Sequence, residues 1–424
     1  MKHRHQVLFL LSLLSAISYL DRVCISVAGP RIQHAFGLTP VQWGWVGGVF
    51  AFSYALFEIP SGYLGDRIGA RAVLSRIVLW WSGFTALTGG TWNYVSLLVT
   101  RLLFGVGEAG ALPNTCVSLC RWFPPGERAR ALGFILMAAE VGTALTPLLV
   151  VPIQKYYGWR PSFFALGLIG AVWVFAWRRW YQDHPKNSPR ISATELAEIG
   201  PTVGNTEHTL PWMLAVRSRN LWAIALAGLS YRYGIYFFQF WLHTYLVNAR
   251  GYSESALLLT AWLYAAGAAA NVVGGIASDS LVNRLGMKVA RRAVPFVGLM
   301  ISAVCLTLTI FVAGKYAALA LLALSYCGLT FAQATCWAVC LDIGARFAGA
   351  VSAARNTAAQ LGATISAVVF GYMAKTTGSY DIALIPVAFM IAVSAVLCLR
   401  IDATEQLFPE PAPRDQTPNS IPTH

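Results

Sequence analysis

Long apolar stretches recur along the whole chain and constrain its fold more than any other feature. A helix of about 20 apolar residues is long enough to cross the roughly 30 Å of hydrocarbon in a bilayer. Charged residues make up 12% of the 424 residues, about half of the share that is usual in soluble domains. The sequence therefore predicts an all-α membrane protein with twelve transmembrane helices. The predicted spans lie at residues 7–29, 42–63, 72–91, 94–117, 129–151, 162–180, 220–247, 256–278, 294–313, 316–341, 349–373 and 381–400.

The longest polar interruption divides these spans into two groups of six. It is rich in Pro, Ser, Asn and Glu and contains "SATELAEI", which predicts a short surface helix. The C-terminal segment "FPEPAPRDQTPNSIPTH" is rich in proline and is predicted to be disordered. The predicted organisation is a six-helix bundle at residues 1–181, a linker at 182–219, a second bundle at 220–402 and a tail at 403–424.

The distribution of positive charge predicts the orientation of the chain in the membrane. The net charge of +13 could suggest a nucleic-acid-binding protein. With the N-terminus inside, however, 20 of the 31 Lys and Arg residues fall in cytoplasmic segments and 6 in external ones. This bias follows the positive-inside rule. Both termini are therefore predicted to be cytoplasmic, and nucleic acid is not an expected partner.

The first apolar stretch also resembles the apolar core of a signal peptide. Asp21 and Arg22 follow this stretch directly, and eleven further spans come after them. We therefore interpret it as the first span, retained in the mature chain.

Sequence motifs repeat between the two halves. "GYLGDRIGAR" follows the second span, and "GIASDSLVNRLG" follows the eighth. "AAEVGTALT" (138–146) in the fifth span is echoed by "AAQLGATIS" (358–366) in the eleventh. Two matching groups of six spans are typical of secondary transporters, whose substrate site lies near the membrane midplane between the halves.

Several ionisable residues lie inside the predicted spans. A charge at the centre of a bilayer costs roughly 2.5–3.5 kcal/mol on insertion scales, so such residues are functional candidates by default. Structural ion pairing is the alternative, in which Arg101 neutralises Asp21 or Glu108, or Arg232 neutralises Asp21. Buried ion pairs are weak stabilisers, so pairing alone does not explain the whole set. The set comprises Asp21, Arg22, Arg101, Glu108, Glu140, Arg232 and Arg355.

Asp21 and Arg22 combine two complementary chemistries in the first span. The guanidinium of Arg22 is a permanent cation whose planar fork suits bidentate binding of a carboxylate. Asp21 can lose its charge by taking up a proton, which burial favours. The pair therefore predicts a site that binds an anion and couples its binding to protons.

Local sequence identifies the chain as a member of a known superfamily. "GYLGDRIGAR" resembles the signature between spans 2 and 3 of the major facilitator superfamily. "YLDRVCISVAGP", "YALFEIPSGYLGDRIG", "RLLFGVGEAGALPN", "YYGWRPSFF" and "YFFQFWLHTYL" resemble the anion:cation symporter family, which includes sugar-acid permeases, sialin and the vesicular glutamate transporters. The sequence departs from that family where Glu58 replaces a usual Gln and His243 a common Pro. These departures leave the substrate open.

The resemblance implies roles for particular residues. The matching arginine of the family, here Arg22, binds the substrate carboxylate, and the matching acids, here Asp21 and Glu108, carry the coupling protons. Arg101 is a charge partner of these acids. The substrate-binding candidates are Tyr19, Arg22, Tyr54, Glu140, Arg232, Trp337, Asn356 and Gln360. A conformational latch is implied at Gly62, Asp66, Arg67, Gly69, Arg71, Asp279 and Arg284.

Two interpretations of Arg232 remain open. If Arg232 faces the cavity opposite Arg22, a substrate with two anionic ends could use both guanidinium groups. If Glu140 or Asp21 neutralises Arg232, the site accepts one carboxylate.

The predicted function is proton-coupled symport of an organic anion such as a sugar acid, an aromatic acid or a dicarboxylate. An uncoupled anion facilitator and a sodium-coupled carrier are the alternatives. The arginines inside the spans argue against export of cationic drugs, and no catalytic or metal motif indicates an enzyme or a cofactor. "GVGEAG" fits a dinucleotide-binding pattern, but it lies inside a span and predicts close helix packing instead. We expect a monomer in a bacterial inner membrane.

Overall fold

The computed structural model describes residues 2–199, 217–344 and 348–405, and these residues form an almost entirely helical protein. The first half contains α1 (His3–Phe36), α2 (Pro40–Ile68), α3 (Ala70–Gly89), α4 (Tyr94–Glu108), α5 (Ala111–Trp122), α6 (Pro125–Tyr157) and α7 (Arg160–Trp180). A short helix, α8 (Ala193–Ile199), follows it. The second half contains α9 (Arg219–Tyr236), α10 (Leu242–Asn248), α11 (Thr260–Leu285), α12 (Met287–Phe311), α13 (Lys315–Gly344), α14 (Ala348–Thr377) and α15 (Leu384–Arg400).

Each predicted span falls on one helix or on two or three consecutive helical segments of this structure. Within the described residues, eight stretches are long and apolar enough to cross a membrane, and α15 is a shorter apolar helix. The chain is therefore an integral membrane protein, while the full count of twelve spans stays a prediction. The eight stretches are His3–Phe36, Tyr94–Trp122, Arg130–Tyr157, Arg160–Trp180, Glu254–Leu285, Met287–Phe311, Lys315–Gly344 and Val351–Thr377.

The predicted span at 94–117 is not one continuous helix. It breaks between α4 and α5, immediately after Glu108. Gly110 has a φ of 88°, in the left-handed region that favours glycine. A β-carbon at Gly110 would also lie 2.3 Å from the hydroxyl oxygen of Ser61. The break places the Glu108 carboxylate at the C-terminal end of a half-helix, where discontinuous transporter helices often form sites.

A second interruption joins α9 to α10 through a π-helical turn, Phe237–Trp241. Such turns free backbone carbonyl groups from the regular helical pattern and occur often at functional sites. Here the carbonyl of Phe240 accepts a hydrogen bond of 2.9 Å from the hydroxyl of Ser26 in α1. The turn therefore contributes a contact between the two halves.

The echoed motifs of α6 and α14 have the same structural role in each half. Gly142 of α6 lies against α1, where a β-carbon would be 2.2 Å from the carbonyl oxygen of Ala16. Gly362 of α14 lies against α9, where a β-carbon would be 2.1 Å from the carbonyl oxygen of Leu229. Only glycine permits such an approach of two backbones. The repeat in the sequence thus corresponds to a repeated helix contact. "GVGEAG" also packs closely, because a β-carbon at Gly105 would lie 2.5 Å from the carbonyl oxygen of Phe50.

Among the described residues, several contacts between the two halves lie at one end of the bundle. We call the end that holds His3 and Arg400 the terminal end, and the opposite end the far end. At the far end Gln33 donates a hydrogen bond of 2.9 Å to Thr244, and Trp43 stacks on Phe240 with ring centroids 5.0 Å apart. Further far-end contacts are the ion pair between Arg31 and Glu254, the hydrogen bond from Tyr236 to the carbonyl of Gly47, and the close approach of Gly44 to Ala367.

The helix predicted at "SATELAEI" in the linker is confirmed by α8. Glu195 of α8 accepts hydrogen bonds from the backbone N–H groups of His3 at 3.0 Å and Arg4 at 2.8 Å. Because the first N–H groups of a helix lack partners within it, Glu195 caps the start of α1. Residues 200–216 of the linker and 406–424 of the predicted tail lie outside the described residues.

Candidate functional site

A cavity of about 90 Å³ lies between the halves, on the terminal side of the far-end contacts. Seven of the eight predicted substrate-binding residues line it, three from the first half and four from the second. They are Tyr19, Arg22, Tyr54, Arg232, Trp337, Asn356 and Gln360. The structure therefore brings together side chains that are more than 300 positions apart in the sequence.

Arg22 projects from α1 into a ring of aromatic side chains. Its guanidinium carbon lies 4.8 Å from the ring centroid of Tyr54, 5.2 Å from that of Tyr19 and 5.6 Å from that of Phe50. Aromatic faces attract a guanidinium and restrict its orientation. The two tyrosines and the phenylalanine therefore hold the cation at the cavity wall.

Glu108 is the ion-pair partner of Arg22. The Nε–H of Arg22 donates to Oε1 of Glu108 over 2.8 Å, and the hydroxyl of Ser18 donates to the same oxygen over 2.5 Å. The side chain of Glu108 is completely buried, and its other oxygen has no hydrogen-bond partner among the described residues. A cation that can bind substrate is thus paired with a buried carboxylate from the helix break.

Asp21 lies behind Arg22, in the interior of the first half. It is 1% exposed. Neither carboxylate oxygen has a hydrogen-bond partner among the described residues, although the Thr85 hydroxyl and the Arg101 guanidinium lie nearby. Consecutive helix residues point about 100° apart, which separates Asp21 from the cavity that Arg22 lines. An unpartnered ionised carboxylate is costly in such a place, so this geometry suits a group that carries a proton.

Direct pairing of Arg101 with an acid was one alternative from the sequence, and the described residues do not show it; Arg101 lies near Asp21 and Glu108, and its role as their charge partner stays a prediction. Glu108 pairs with Arg22 instead, and Arg101 has no ion pair with a carboxylate in the described part of the chain. Its guanidinium carbon lies 4.3 Å from the ring centroid of Phe104 and 4.9 Å from that of Phe50. The reason is the orientation of α4, which turns Arg101 between two phenyl faces while Glu108 reaches α1.

The second half contributes a further set of polar and aromatic groups. Arg232 lines the cavity with its guanidinium carbon 5.9 Å from the ring centroid of Tyr236. It has no ion pair within the described ranges, but Glu58 and Glu140 are close enough to interact with it electrostatically. Gln360 is 3% exposed, and its carbonyl oxygen lacks a hydrogen-bond partner among the described residues.

Two carboxylates connect the halves beside the cavity. Glu140, the eighth predicted substrate-binding residue, is not part of the cavity lining; it accepts a hydrogen bond of 2.9 Å from the hydroxyl of Tyr326 in α13. Glu58 of α2 accepts a hydrogen bond of 2.5 Å from the side-chain amide of Asn356 in α14. Both bonds cross between the halves, so both acids can influence how the halves move relative to each other.

Sequence reasoning missed three residues of this site. Ser18 was not singled out, although it donates to Glu108. Glu58 stood out as a departure from the family pattern, but that signal did not reveal its bond to Asn356. Arg355 was among the ionisable candidates of the spans but was not assigned to the substrate site, although it lines the cavity and is 5% exposed.

The predicted latch residues lie at the terminal end of each half, and their described contacts stay within that half. Gly69 has a φ of 89°, and a β-carbon there would lie 2.5 Å from the carboxylate of Asp183. Asp183 also accepts a hydrogen bond of 3.0 Å from the backbone N–H of Arg71. In the second half, Asp279 pairs with Arg291 at 3.6 Å.

The remaining latch candidates also lie near the terminal end. Gly62 faces Pro113, and Arg284 is exposed. Arg67 lies near the end of α2, and the side chain of Asp66 lies outside the described part of the structure. A latch that joins the halves stays a prediction.

No group of three or more His, Cys, Asp or Glu residues in the described ranges could hold a metal ion. The candidate site consists of cations, buried acids, amides and aromatic faces around the cavity. Such a site can bind an anion through guanidinium groups and exchange protons through carboxylates.

A helical membrane bundle with a polar cavity between two repeated halves is the architecture of a secondary transporter. The family model described as Major Facilitator Superfamily matches residues 11–367. The chain belongs to this superfamily of transporters, as its sequence motifs indicated.

Curated relatives match over almost the whole chain. A protein of Cupriavidus necator described as a probable sulfoacetate transporter is 35% identical over 407 residues, covering 95% of this chain and 94% of that protein. The hexuronate transporter of Bacillus subtilis is 29% identical and covers 90% of each chain. The D-galactonate transporter of Escherichia coli O6:H1 is 30% identical, covering 89% of this chain and 90% of that protein.

Solved structures agree with the fold. A bacterial homologue of the human lysosomal transporter Spinster, in an inward-facing and unoccupied conformation, matches with a TM-score of 0.72. The match covers 95% of this chain and 96% of that one at 18% sequence identity. At that identity the likeness shows the fold alone.

Proposed function

We propose that this protein is a proton-coupled symporter of an organic anion that works by alternating access. The relatives named above are transporters of sulfoacetate, hexuronate and D-galactonate, which are all organic anions. The cavity offers the guanidinium of Arg22 for a carboxylate and carries two buried acids beside it, Asp21 and Glu108.

The observation that carries the proposal is the ion pair between Arg22 and Glu108. An incoming carboxylate competes with Glu108 for the same guanidinium. When the substrate takes Arg22, Glu108 is left buried without its cation. Burial disfavours an ionised group in that situation, so Glu108 takes up a proton. Substrate binding and proton binding are thereby linked.

The proposal includes an orientation and a conformational state. The twelve spans are those predicted from the apolar runs, and the distribution of Lys and Arg supports cytoplasmic termini. The terminal end is then cytoplasmic, and the far end, where several described contacts join the halves, faces outside. In this proposal the conformation is inward-facing. Release of the far-end contacts, with closure at the terminal end, would expose Arg22 to the outside.

Uptake by the purified protein in liposomes tests the proposal. The external pH is set below the internal pH, and labelled sulfoacetate, D-galactonate and D-glucuronate are supplied in separate experiments. We expect at least one of these anions to accumulate above equilibrium and the accumulation to stop when a protonophore removes the gradient. Uptake that a sodium gradient drives at equal pH would instead support a sodium-coupled carrier. Uptake that never exceeds equilibrium would support an uncoupled facilitator.

A further inference from the structure

Arg355 is a buried cation whose role is not explained by the architecture of the bundle. It lies on α14, is 5% exposed and lines the cavity. It has no ion pair with a carboxylate among the described residues; its guanidinium carbon lies 4.7 Å from the ring centroid of Trp337 and 5.9 Å from that of Tyr231. A buried guanidinium without an acid is costly, which makes it a functional candidate.

The local packing makes room for this side chain. A β-carbon at Gly228 of α9 would lie 2.8 Å from Cγ of Arg355, so glycine at that position allows the arginine stem to pass. The Cys336 thiol is a further polar neighbour. A thiol is a weak hydrogen-bonding group and replaces a carboxylate poorly.

Gln360 gives a second, independent indication of a ligand at this wall. It lines the cavity one and a half turns beyond Arg355 on α14 and is 3% exposed. Its carbonyl oxygen has no hydrogen-bond partner in the described part of the structure. The amide can present either its oxygen or its N–H groups after a flip of the side chain. A buried amide whose carbonyl oxygen lacks a partner, in the same cavity as a buried cation, is suited to binding a polar group of a ligand.

The charges of the cavity distinguish Arg355 from the other arginines. Glu108 neutralises Arg22, and Glu58 and Glu140 lie within electrostatic reach of Arg232. Among the described residues, Arg355 has no acid of this kind. In this part of the chain, the second half therefore holds an uncompensated positive charge at the cavity, and the first half holds a cation that is available in exchange for Glu108.

We propose that the substrate carries two anionic groups, one bound by Arg22 and the other by Arg355 and Gln360. This inference rests on the proposed function and narrows it to short organic dianions, such as a dicarboxylate or a carboxylate that also bears a sulfonate. The two binding groups belong to different halves, so a bifunctional anion bridges them. Arg232 has a supporting electrostatic role and does not form the second anion site.

Binding to the purified protein at pH 7.5 tests this inference. The probes are the dianions malonate, succinate and sulfoacetate, together with the matched monoanions malonamate and succinamate. The variants are Arg355→Gln, Arg22→Gln and the control Arg292→Gln. Arg292 lies at the terminal end of the second half, donates a hydrogen bond to the carbonyl of Ile401 and does not line the cavity. Isothermal titration calorimetry measures the affinities.

We expect the wild type and Arg292→Gln to bind at least one dianion about tenfold or more tightly than its mono-amide. This difference in affinity is what one charge-assisted hydrogen bond contributes. Arg355→Gln should remove this preference and change the mono-amide affinity little, whereas Arg22→Gln should weaken both ligands. Replacement of Cys336 by Ala should leave the preference intact, because the thiol is not the anion receptor.

The inference is overturned if the wild type binds the mono-amides as tightly as the dianions, a result that does not depend on whether Arg355→Gln folds. It is also overturned if folded Arg355→Gln keeps the preference. In either case, uptake of D-galactonate or D-glucuronate driven by a proton gradient would leave the proposed function standing. If no organic anion binds or accumulates at all, the proposed function itself fails.

Discussion

Arg22 and Glu108 form a buried ion pair at the wall of the cavity, with 2.8 Å between Nε and Oε1. The pair joins α1 to the end of the half-helix α4, and the Ser18 hydroxyl donates to the same carboxylate oxygen. In the proposed mechanism, the substrate anion and the carboxylate of Glu108 compete for the guanidinium of Arg22. This relationship gives the mechanism its first test.

Replacement of Glu108 by Gln should uncouple transport from protons. Gln mimics the protonated acid, so the carrier can still bind substrate and exchange it across the membrane. Accumulation driven by a pH gradient should fall to equilibrium, while counterflow of labelled against unlabelled substrate should persist. Asp21→Asn should behave similarly. Uphill uptake by Glu108→Gln at the wild-type level would show that this acid does not carry the coupling proton.

Replacement of Arg22 by Lys should weaken substrate binding by at least about tenfold, because the ammonium keeps the charge but loses the planar fork. Arg22→Ala should abolish binding. Affinity is measured by titration calorimetry on protein whose melting temperature shows that it is folded. An Arg22→Lys variant with wild-type affinity would remove the specific role of the guanidinium.

The contact between Glu58 and Asn356 should hold the halves together on the terminal side. Glu58→Gln retains an oxygen that can accept the amide hydrogen bond from Asn356, whereas Glu58→Ala does not. We expect faster hydrogen exchange in α2 and α14 for Glu58→Ala than for Glu58→Gln, as measured by mass spectrometry. Equal exchange in the two variants would mean that the bond does not restrain the halves.

The ion pair between Arg31 and Glu254 should favour closure of the far end. Charge reversal in Glu254→Arg should shift the population toward opening there, and the double variant Arg31→Glu with Glu254→Arg should restore closure. Spin labels at the exposed residues Thr39 and Ser253 report the separation of the two halves. No change of their distance distribution in Glu254→Arg would exclude this pair as a determinant of closure.

The close contact at Gly142 should be sensitive to a single methyl group. Gly142→Ala places a β-carbon 2.2 Å from the carbonyl oxygen of Ala16. Overpacking of this kind costs about 1–3 kcal/mol, which should lower the melting temperature. Gly133→Ala in the same helix is the matched control, because nothing lies within 4 Å of its β-carbon position. An equal effect of both variants would show that the helix contact is not the cause.

The apolar runs and the repeated motifs were sufficient to predict the helices and the division into halves. They work because the bilayer fixes both the length and the apolar character of each span. The break after Glu108 was not predicted. Its cause is the approach of Ser61 to Gly110, a contact between residues about 50 positions apart that no local pattern records.

The sequence predicted seven of the 19 residues that line the cavity, and three of these, Tyr19, Arg22 and Tyr54, lie in motifs that resemble the family. It did not predict which charges meet. Glu108 pairs with Arg22 and not with Arg101, since helix rotation and the break in α4 decide the direction of each side chain. Gly228 of another helix makes room for the stem of Arg355, so the charge inside the span marked this residue as a candidate but did not show where its side chain points.

The central claim is that substrate displaces Glu108 from Arg22 and thereby causes Glu108 to take up a proton. A pH indicator measures this proton uptake directly. An anion identified in the binding experiments is added at saturating concentration to purified protein in weakly buffered solution at pH 7.5. The wild type should take up about one proton for each substrate bound, as linkage requires. Glu108→Gln should bind substrate with almost no proton uptake. Proton uptake that is absent from the wild type, or unchanged in Glu108→Gln, would contradict the account.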